Sequence, residues 1–236
     1  MPAALRLLAS ATLVLAALAG CAAVAPRAAE SPRQPEAVAP RAAPAAQVVR
    51  PAPTPLERAG PRPSDGRPLR SALSIPGLGI RDLAVVPYRG YTDDAPGTEI
   101  QNGGLAASPH GPRGGVGPGG IGNYQVTAHR TSSTRAFELL PDLRVGERVV
   151  VEAAGRRFVY EIRSTRRTSF RSVRSLAEQR AAVPGQPGRT PTRAMITLST
   201  CATQEDHAVG NYWSDEFDNP EHRIDKIGVR VHSTRR

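Results

Sequence analysis

Proline decides where this chain can begin to fold. Of its 23 prolines, eleven fall within residues 22–70, mixed with alanine, arginine and glutamine, and no apolar periodicity survives there. Such a stretch cannot bury enough apolar surface to offset its ordering entropy, so residues 22–72 are expected to form an extended tether. The rest of the 236 residues divides into a short leading segment, 1–21, and one domain-sized segment, 73–236.

The leading segment reads as an export signal. Arg6 precedes an uncharged, mostly apolar run over residues 7–20 that ends in small residues and Cys21. The ending Leu18-Ala19-Gly20-Cys21 resembles the lipobox of bacterial lipoproteins, in which the cysteine thiol receives a diacylglycerol and the chain is cut just before it. Two alternatives stay open. Continuing to Ala25 gives about 19 apolar residues, just enough for an uncut helix to cross a bilayer. A simple cleaved secretory signal is the other. All three readings place the remaining chain outside the cytoplasm, and the first two hold it at the membrane.

The net charge of +10 suggests a polyanion as partner, but its distribution does not. Residues 22–70 hold eight arginines against four acids, and residues 71–236 hold 22 basic against 17 acidic residues. The tether therefore supplies +4, the domain +5 and Arg6 the remainder, with no block of five or six like charges. Aromatic residues make up only 4% of the chain, too few for a base-stacking surface, so nucleic acid is not an expected partner. Two cysteines exclude a disulfide framework and a four-thiolate zinc site. No two of the five histidines stand three or four positions apart, so neither a metal nor a cofactor is expected.

From residue 73 onward the pattern is mostly β. Residues 73–80 read as a first strand broken at Pro76, and 83–86 as a second. Residues 103–122 contain nine glycines, which argues for a loop without regular structure. Residues 121–129 alternate and end at His129. Residues 148–152 and 157–162 flank Ala153-Ala154-Gly155 as a hairpin. Residues 172–180 are the best helix candidate, 194–200 form a strand leading into Cys201, and 224–231 form a terminal strand. Many short strands with little helix predict a closed barrel or a sandwich.

Once Cys21 is set aside, Cys201 is a lone thiol in an exported chain. A free cysteine is ordinarily a small buried hydrophobe. Here it ends a β-branched strand, and His129 ends an earlier one, which is where a rigid scaffold presents reactive side chains. A cysteine and a histidine that converge give a thiolate–imidazolium pair or a base-activated thiol.

Three motifs carry a resemblance. Thr197-Leu198-Ser199-Thr200-Cys201 resembles the TLxTC motif of sortases, the transpeptidases that attach proteins to Gram-positive cell walls. Thr127-Ala128-His129-Arg130 resembles the strand-end His-Arg of that family, especially its actinobacterial class E. Ile75-Pro76-Gly77-Leu78-Gly79-Ile80 resembles the Ile-Pro-x-x-Gly-Ile that opens the family's barrel. The chain order of His, Cys and then Arg also fits, with Arg223 at the start of the last strand. Arg230 is the competitor. It lies seven positions on, an odd number that puts it on the other face of a regular strand.

The resemblance implies a closed eight-stranded β-barrel with one or two short helices, and His129, Cys201 and Arg223 in one groove. Cys201 would attack the Thr–Gly bond of an LPXTG-like sorting signal, LAXTG being the form associated with class E. His129 would protonate the leaving amine and later deprotonate the incoming one. Arg223 would donate to the substrate backbone and to the oxyanion, where a positioned donor is worth about 2.7–4 kcal/mol. The partners implied are secreted proteins bearing the sorting signal and an amine of the peptidoglycan precursor, met at the outer face of the plasma membrane of a Gram-positive cell. A non-catalytic envelope-binding lipoprotein and another secreted cysteine peptidase are the alternatives.

Two features depart from the family. Between Cys201 and Arg223 lie 21 residues, holding Tyr212, Trp213 and Phe217 with Glu205, Asp206, Asp215, Glu216, Asp218 and Glu221. This insert is expected to be a loop packed on its own aromatics and solvated by its acids, and the other reading is a seat for a cationic amine. A lipobox is also not the usual sortase anchor, since most members keep an uncut helix.

Overall fold

The computed structural model describes residues 66–235. Cys21, the export signal and the tether up to residue 65 lie outside the described residues.

The runs of β-branched residues become eight strands that close into a barrel in the order β1-β2-β3-β4-β7-β8-β6-β5. The expected barrel is therefore present. Its strands are β1 (Ser71–Ile75), β2 (Ile80–Arg89), β3 (Ala106–His110), β4 (Gly122–Thr127), β5 (Arg148–Ala153), β6 (Arg156–Ser169), β7 (Ala194–Cys201) and β8 (His222–Arg235). The helices are α1 (Ala95–Asn102), α2 (Val173–Arg180) and α3 (Thr203–Ala208), one more than the upper expectation.

Local chemistry explains the boundaries. Pro76 does end the first strand, but the break is a 3-10 turn over Pro76–Leu78, closed by Gly79 at φ 70°. The second strand is correspondingly longer than residues 83–86 and begins at Ile80. β5 and β6 meet at Ala154 and Gly155, with φ 48° and 68°, the left-handed pair that lets a two-residue turn follow the twist of its strands. Ser172 caps α2 by accepting a hydrogen bond from Ser175 N at 3.2 Å, and Asp94 caps α1 by accepting from Gly97 N at 3.1 Å.

Residues 103–122 correct the expectation of an unbroken loop. Ala106–His110 is β3, parallel to β2 with Val85 opposite Ala106 and Arg89 opposite His110. Its sequence, Ala-Ala-Ser-Pro-His, carries no β-propensity. It is a strand because its small residues fit between β2 and β4, where Ala106 and Ala107 are fully buried.

The barrel interior is filled by Leu73, Tyr124, Val151, Phe158, Ile196 and Leu198 among others, all at 0–1% exposure. Each such aliphatic or phenyl group contributes roughly 1.5–3 kcal/mol relative to exposure. Gly228 pairs with Ile196 of β7, and a Cβ there would stand 2.9 Å from Ile196 Cγ2. The opposite face of β4, β7 and β8 is buried too, but with polar side chains. Gln179 of α2 is 2% exposed and roofs this face, its Nε2 donating to Ser199 Oγ at 3.3 Å and to Asp225 Oδ1 at 3.0 Å. Asn123 Nδ2 reaches the backbone carbonyls of Gln179 and Ala181, both at 3.1 Å. The polar roof pairs most of this polar face, while Gln125 Oε1 has no hydrogen-bond partner among the described residues.

Candidate active site

The alternation of β7 builds the site. Ile196 and Leu198 point into the core, so Thr197, Ser199 and Cys201 share the other face. β4 runs parallel to β7, with Gln125 opposite Thr197 and Thr127 opposite Ser199. β4 ends at Thr127, two residues before His129, and Ser199 opposite it stands two residues before Cys201. The Thr200 hydroxyl fixes that end by donating to the Ala128 carbonyl at 2.8 Å. On the other side β8 is antiparallel to β7 and pairs Arg223 directly with Cys201. Cys201 is the last residue of its strand, so its sulfur emerges where the sheet gives way to loops.

Arg223 is 1% exposed, and its guanidinium is held on every side. Nη1 contacts Cys201 Sγ, Nε donates to Asp93 Oδ2 at 3.1 Å, and Nη2 donates to Asn219 Oδ1 at 2.7 Å. The Phe170 ring covers one face at 4.8 Å. Burial alone would weaken the guanidinium's hold on its proton, but Asp93 and the cysteine sulfur overcome this and raise its pKa. Its five N–H donors meet three acceptors here. Arg230 takes no part: its Nη1 donates to the Gly119 carbonyl at 2.6 Å.

The two reactive side chains are set apart by their surroundings. Burial pushes the Cys201 thiol above its ordinary value, and the Arg223 charge offsets only part of that. His129 is half-buried, and desolvation lowers its pKa, with Asp93 pulling up and Arg223 pushing down. Both groups are thus neutral for most of the time near pH 7. His129 Nε2 lies 2.9 Å from Asn102 Oδ1 at the end of α1. That contact assigns the proton to Nε2 and leaves Nδ1 as the basic nitrogen.

Three contributors were not singled out from sequence: Asp93, Asn102 and Asn219. Each lies in a connection or at a helix end, 130, 27 and 4 positions from its partner, and no local pattern links them. Only Thr92-Asp93-Asp94 before Ala95-Pro96 carried a signal, that of a helix start.

The sortase domain family model matches residues 73–213. The chain belongs to the sortase family. As a sortase it is a cysteine transpeptidase, and its barrel is that of the family. Solved structures agree in fold. Sortase E1 from Streptomyces coelicolor, which has a tripeptide in its active site, is 22% identical over 72% of this chain and 92% of its own, with a TM-score of 0.53. Sortase E from Streptomyces avermitilis is 23% identical over 72% of this chain and 91% of its own, at 0.51. The SrtA sortase from Actinomyces oris is 18% identical over 73% and 89%, at 0.52. No curated relative is matched by sequence.

The segment between Cys201 and Arg223 in this sortase is more ordered than the expected loop. It opens with α3, and its acids mostly serve the fold. Asp206 is 1% exposed and binds Arg167, His222 N at 3.0 Å and His222 Nδ1 at 2.8 Å. Burial would raise its carboxyl pKa, but these partners hold it below the usual value. Glu205 holds the buried Arg130, whose Nη1 also reaches the Cys201 carbonyl at 3.3 Å. Asp215 accepts from Phe217 N and Asn219 N, both at 2.9 Å, and so shapes the turn that presents Asn219 to Arg223. Tyr212 is 72% exposed, and its ring is tilted against that of His207 in the same segment with centroids 4.7 Å apart. Among the described residues no three His, Cys, Asp or Glu side chains cluster as metal ligands, and no helix is long and apolar enough to cross a membrane.

Proposed function

We propose that this sortase cleaves the Thr–Gly bond of an LAXTG- or LPXTG-like sorting signal and passes the acyl group to a cell-wall amine. The observation that carries the reading is the contact of the buried Arg223 guanidinium with Cys201 Sγ at the end of β7. The class E-like motifs around His129 and Cys201 favour LAXTG, and the tripeptide bound in the Streptomyces coelicolor structure supports a peptide groove.

In this mechanism the thiol proton passes to His129 Nδ1, and Sγ bonds the threonine carbonyl carbon. The N–H groups of Arg223 receive the oxyanion, and a guanidinium serves because it keeps its proton and donates as a fork. The C–N bond breaks as His129 returns the proton to the leaving glycine amine, giving a thioester on Cys201. The incoming amine attacks that carbonyl, yields its proton to His129, and expels Sγ, which is reprotonated. The chemistry is isoenergetic in type, one amide for another, and needs no cofactor.

The location follows from the same reading. The export signal delivers the domain to the envelope of a Gram-positive cell, where the proteins bearing the signal and the peptidoglycan precursor amine meet, and Cys21 carries the lipid. The test incubates the purified protein with LAXTG and LPXTG peptides and an amine such as triglycine, reading intact mass. An acyl adduct on Cys201 that disappears as amide product forms is expected. No adduct with either peptide, where a control sortase reacts, defeats the proposal. Globomycin, which blocks lipoprotein processing, should raise the apparent mass in cells, and an unchanged mass would remove Cys21 from the account.

A further inference from the structure

Asp93 sits in the connection between β2 and α1, 6% exposed and bound to Arg223 by a 3.1 Å contact through Nε. Three facts show that the fold holds it there against cost. Its φ is +60°, a left-handed backbone that a residue with a side chain rarely adopts. A lone carboxylate is expensive to bury unless paired. And its neighbours are tied down on both sides: Thr92 Oγ1 donates to Gln179 Oε1 at 2.9 Å, while Asp94 accepts from Tyr91 N at 3.0 Å and caps α1. Gln101 of α1 donates to the second oxygen, Oδ1, at 3.4 Å. The segment Thr92-Asp93-Asp94 thus straps α2, α1 and the catalytic face together.

Nη1 and Nη2 take Cys201 and Asn219, while Asp93 takes Nε. Holding it from behind fixes the rotation of the guanidinium plane, so Nη1 and Nη2 project toward Cys201 and Asn219. We propose that Asp93 is a positioning residue for Arg223 and the counter-charge of the catalytic groove. This rests on the transpeptidase reading for its activity readout but not for its titration readout.

The charged and titratable groups around Asp93 are Arg223 and Asp225 on β8, Arg180 at the end of α2, Tyr88 on β2, His129 after β4 and Cys201 on β7. With Asp93 present, the buried guanidinium is neutralised and the thiolate gains less from it. Loss of the Asp93 charge therefore moves the titrations of Cys201 and His129 in the same direction, toward acid, because its field raises both.

The test compares wild type with Asp93→Asn and Asp93→Gly. Asn is among the residues best tolerated at positive φ and glycine is unstrained there, so the backbone conformation survives both changes. Cys201 alkylation by iodoacetamide against pH needs no substrate, and kcat and KM are then measured with the peptide preferred by the wild type. Both variants should move the thiol midpoint down by about one unit and shift both limbs of kcat/KM to lower pH. kcat should fall at least tenfold with little change in KM, more for Asp93→Gly, which leaves Nε without an acceptor. A purely structural role would lower activity without moving the limbs. Either folded variant with wild-type limbs, or with wild-type kcat/KM, overturns the inference. If instead wild type forms no acyl adduct, the transpeptidase reading fails, while the alkylation curves still decide whether Asp93 controls Cys201.

Discussion

Arg223 faces Cys201 across the β7–β8 ladder as its register partner, and the contact between them joins two residues that a single backbone pairing already forces together. No flexible loop is needed to bring the guanidinium to the thiol. β-sheet register places both side chains on one face at one level, and the Phe170 ring lies over the guanidinium at 4.8 Å.

Replacing Arg223 with lysine should therefore be nearly as damaging as alanine. A lysine ammonium is a point charge that cannot bond Asp93, Asn219 and the reacting centre in one plane. Loss of an oxyanion donor costs about 10²–10³ in kcat. Cleavage of a quenched fluorescent peptide by R223K should show a loss of that size, and a variant within about fivefold of wild type would reassign the donor role.

The pH dependence should be bell-shaped. His129 titrates below its ordinary 6.5 and Cys201 above its ordinary 9.0. Between these limits the pair shares one proton, whether as thiol with imidazole or as thiolate with imidazolium. Acid adds a second proton and alkali removes the last, so kcat/KM falls on both sides. A profile with a limb between the two values, measured at constant ionic strength, would contradict this arrangement.

Asn102 tunes His129 through the 2.9 Å contact with Nε2. Asn102→Ala removes one hydrogen bond worth about 0.5–1.5 kcal/mol, which corresponds to a two- to tenfold fall in kcat. Asn102→Asp puts a carboxylate against the ring and should move the acid limb of the profile upward. An unmoved limb in the aspartate variant would show that the ring does not sense position 102.

Asp225 should make stability fall as pH rises. It is fully buried, and burial pushes its carboxyl up despite bonds from Ser199, Thr168 and Gln179. A carboxyl with a raised folded-state pKa contributes stability below its unfolded pKa and loses it as pH climbs through the folded one. Asp225→Asn, which can still accept from Gln179, removes that loss. The variant's melting temperature relative to wild type should rise from about pH 4 to about pH 8. A difference that is flat with pH would mean that Asp225 does not titrate with folding.

Much of the catalytic end was legible. The β-branched run over 194–200 announced a strand leading into Cys201, and residues 172–180 announced α2, because both signals are local. β3 was not, since small residues become a strand only where neighbouring strands leave room for them. α3 was missed for a similar reason: its six residues are held by Asp206 bonding Arg167 and His222, partners far along the chain.

By itself the sequence determined a mostly β domain, barrel or sandwich, and the ends of its main strands, while the closed barrel and the trio His129, Cys201 and Arg223 came from motif resemblance. The former are properties of periodicity and punctuation, which act over a few residues. Only the tertiary structure decided that Arg223 rather than Arg230 meets the sulfur, that Asp93 backs it from 130 positions away, and that the acids after Cys201 serve their own fold. Those outcomes depend on register and on the pairing of buried charge, which are settled when distant segments exclude water from one another.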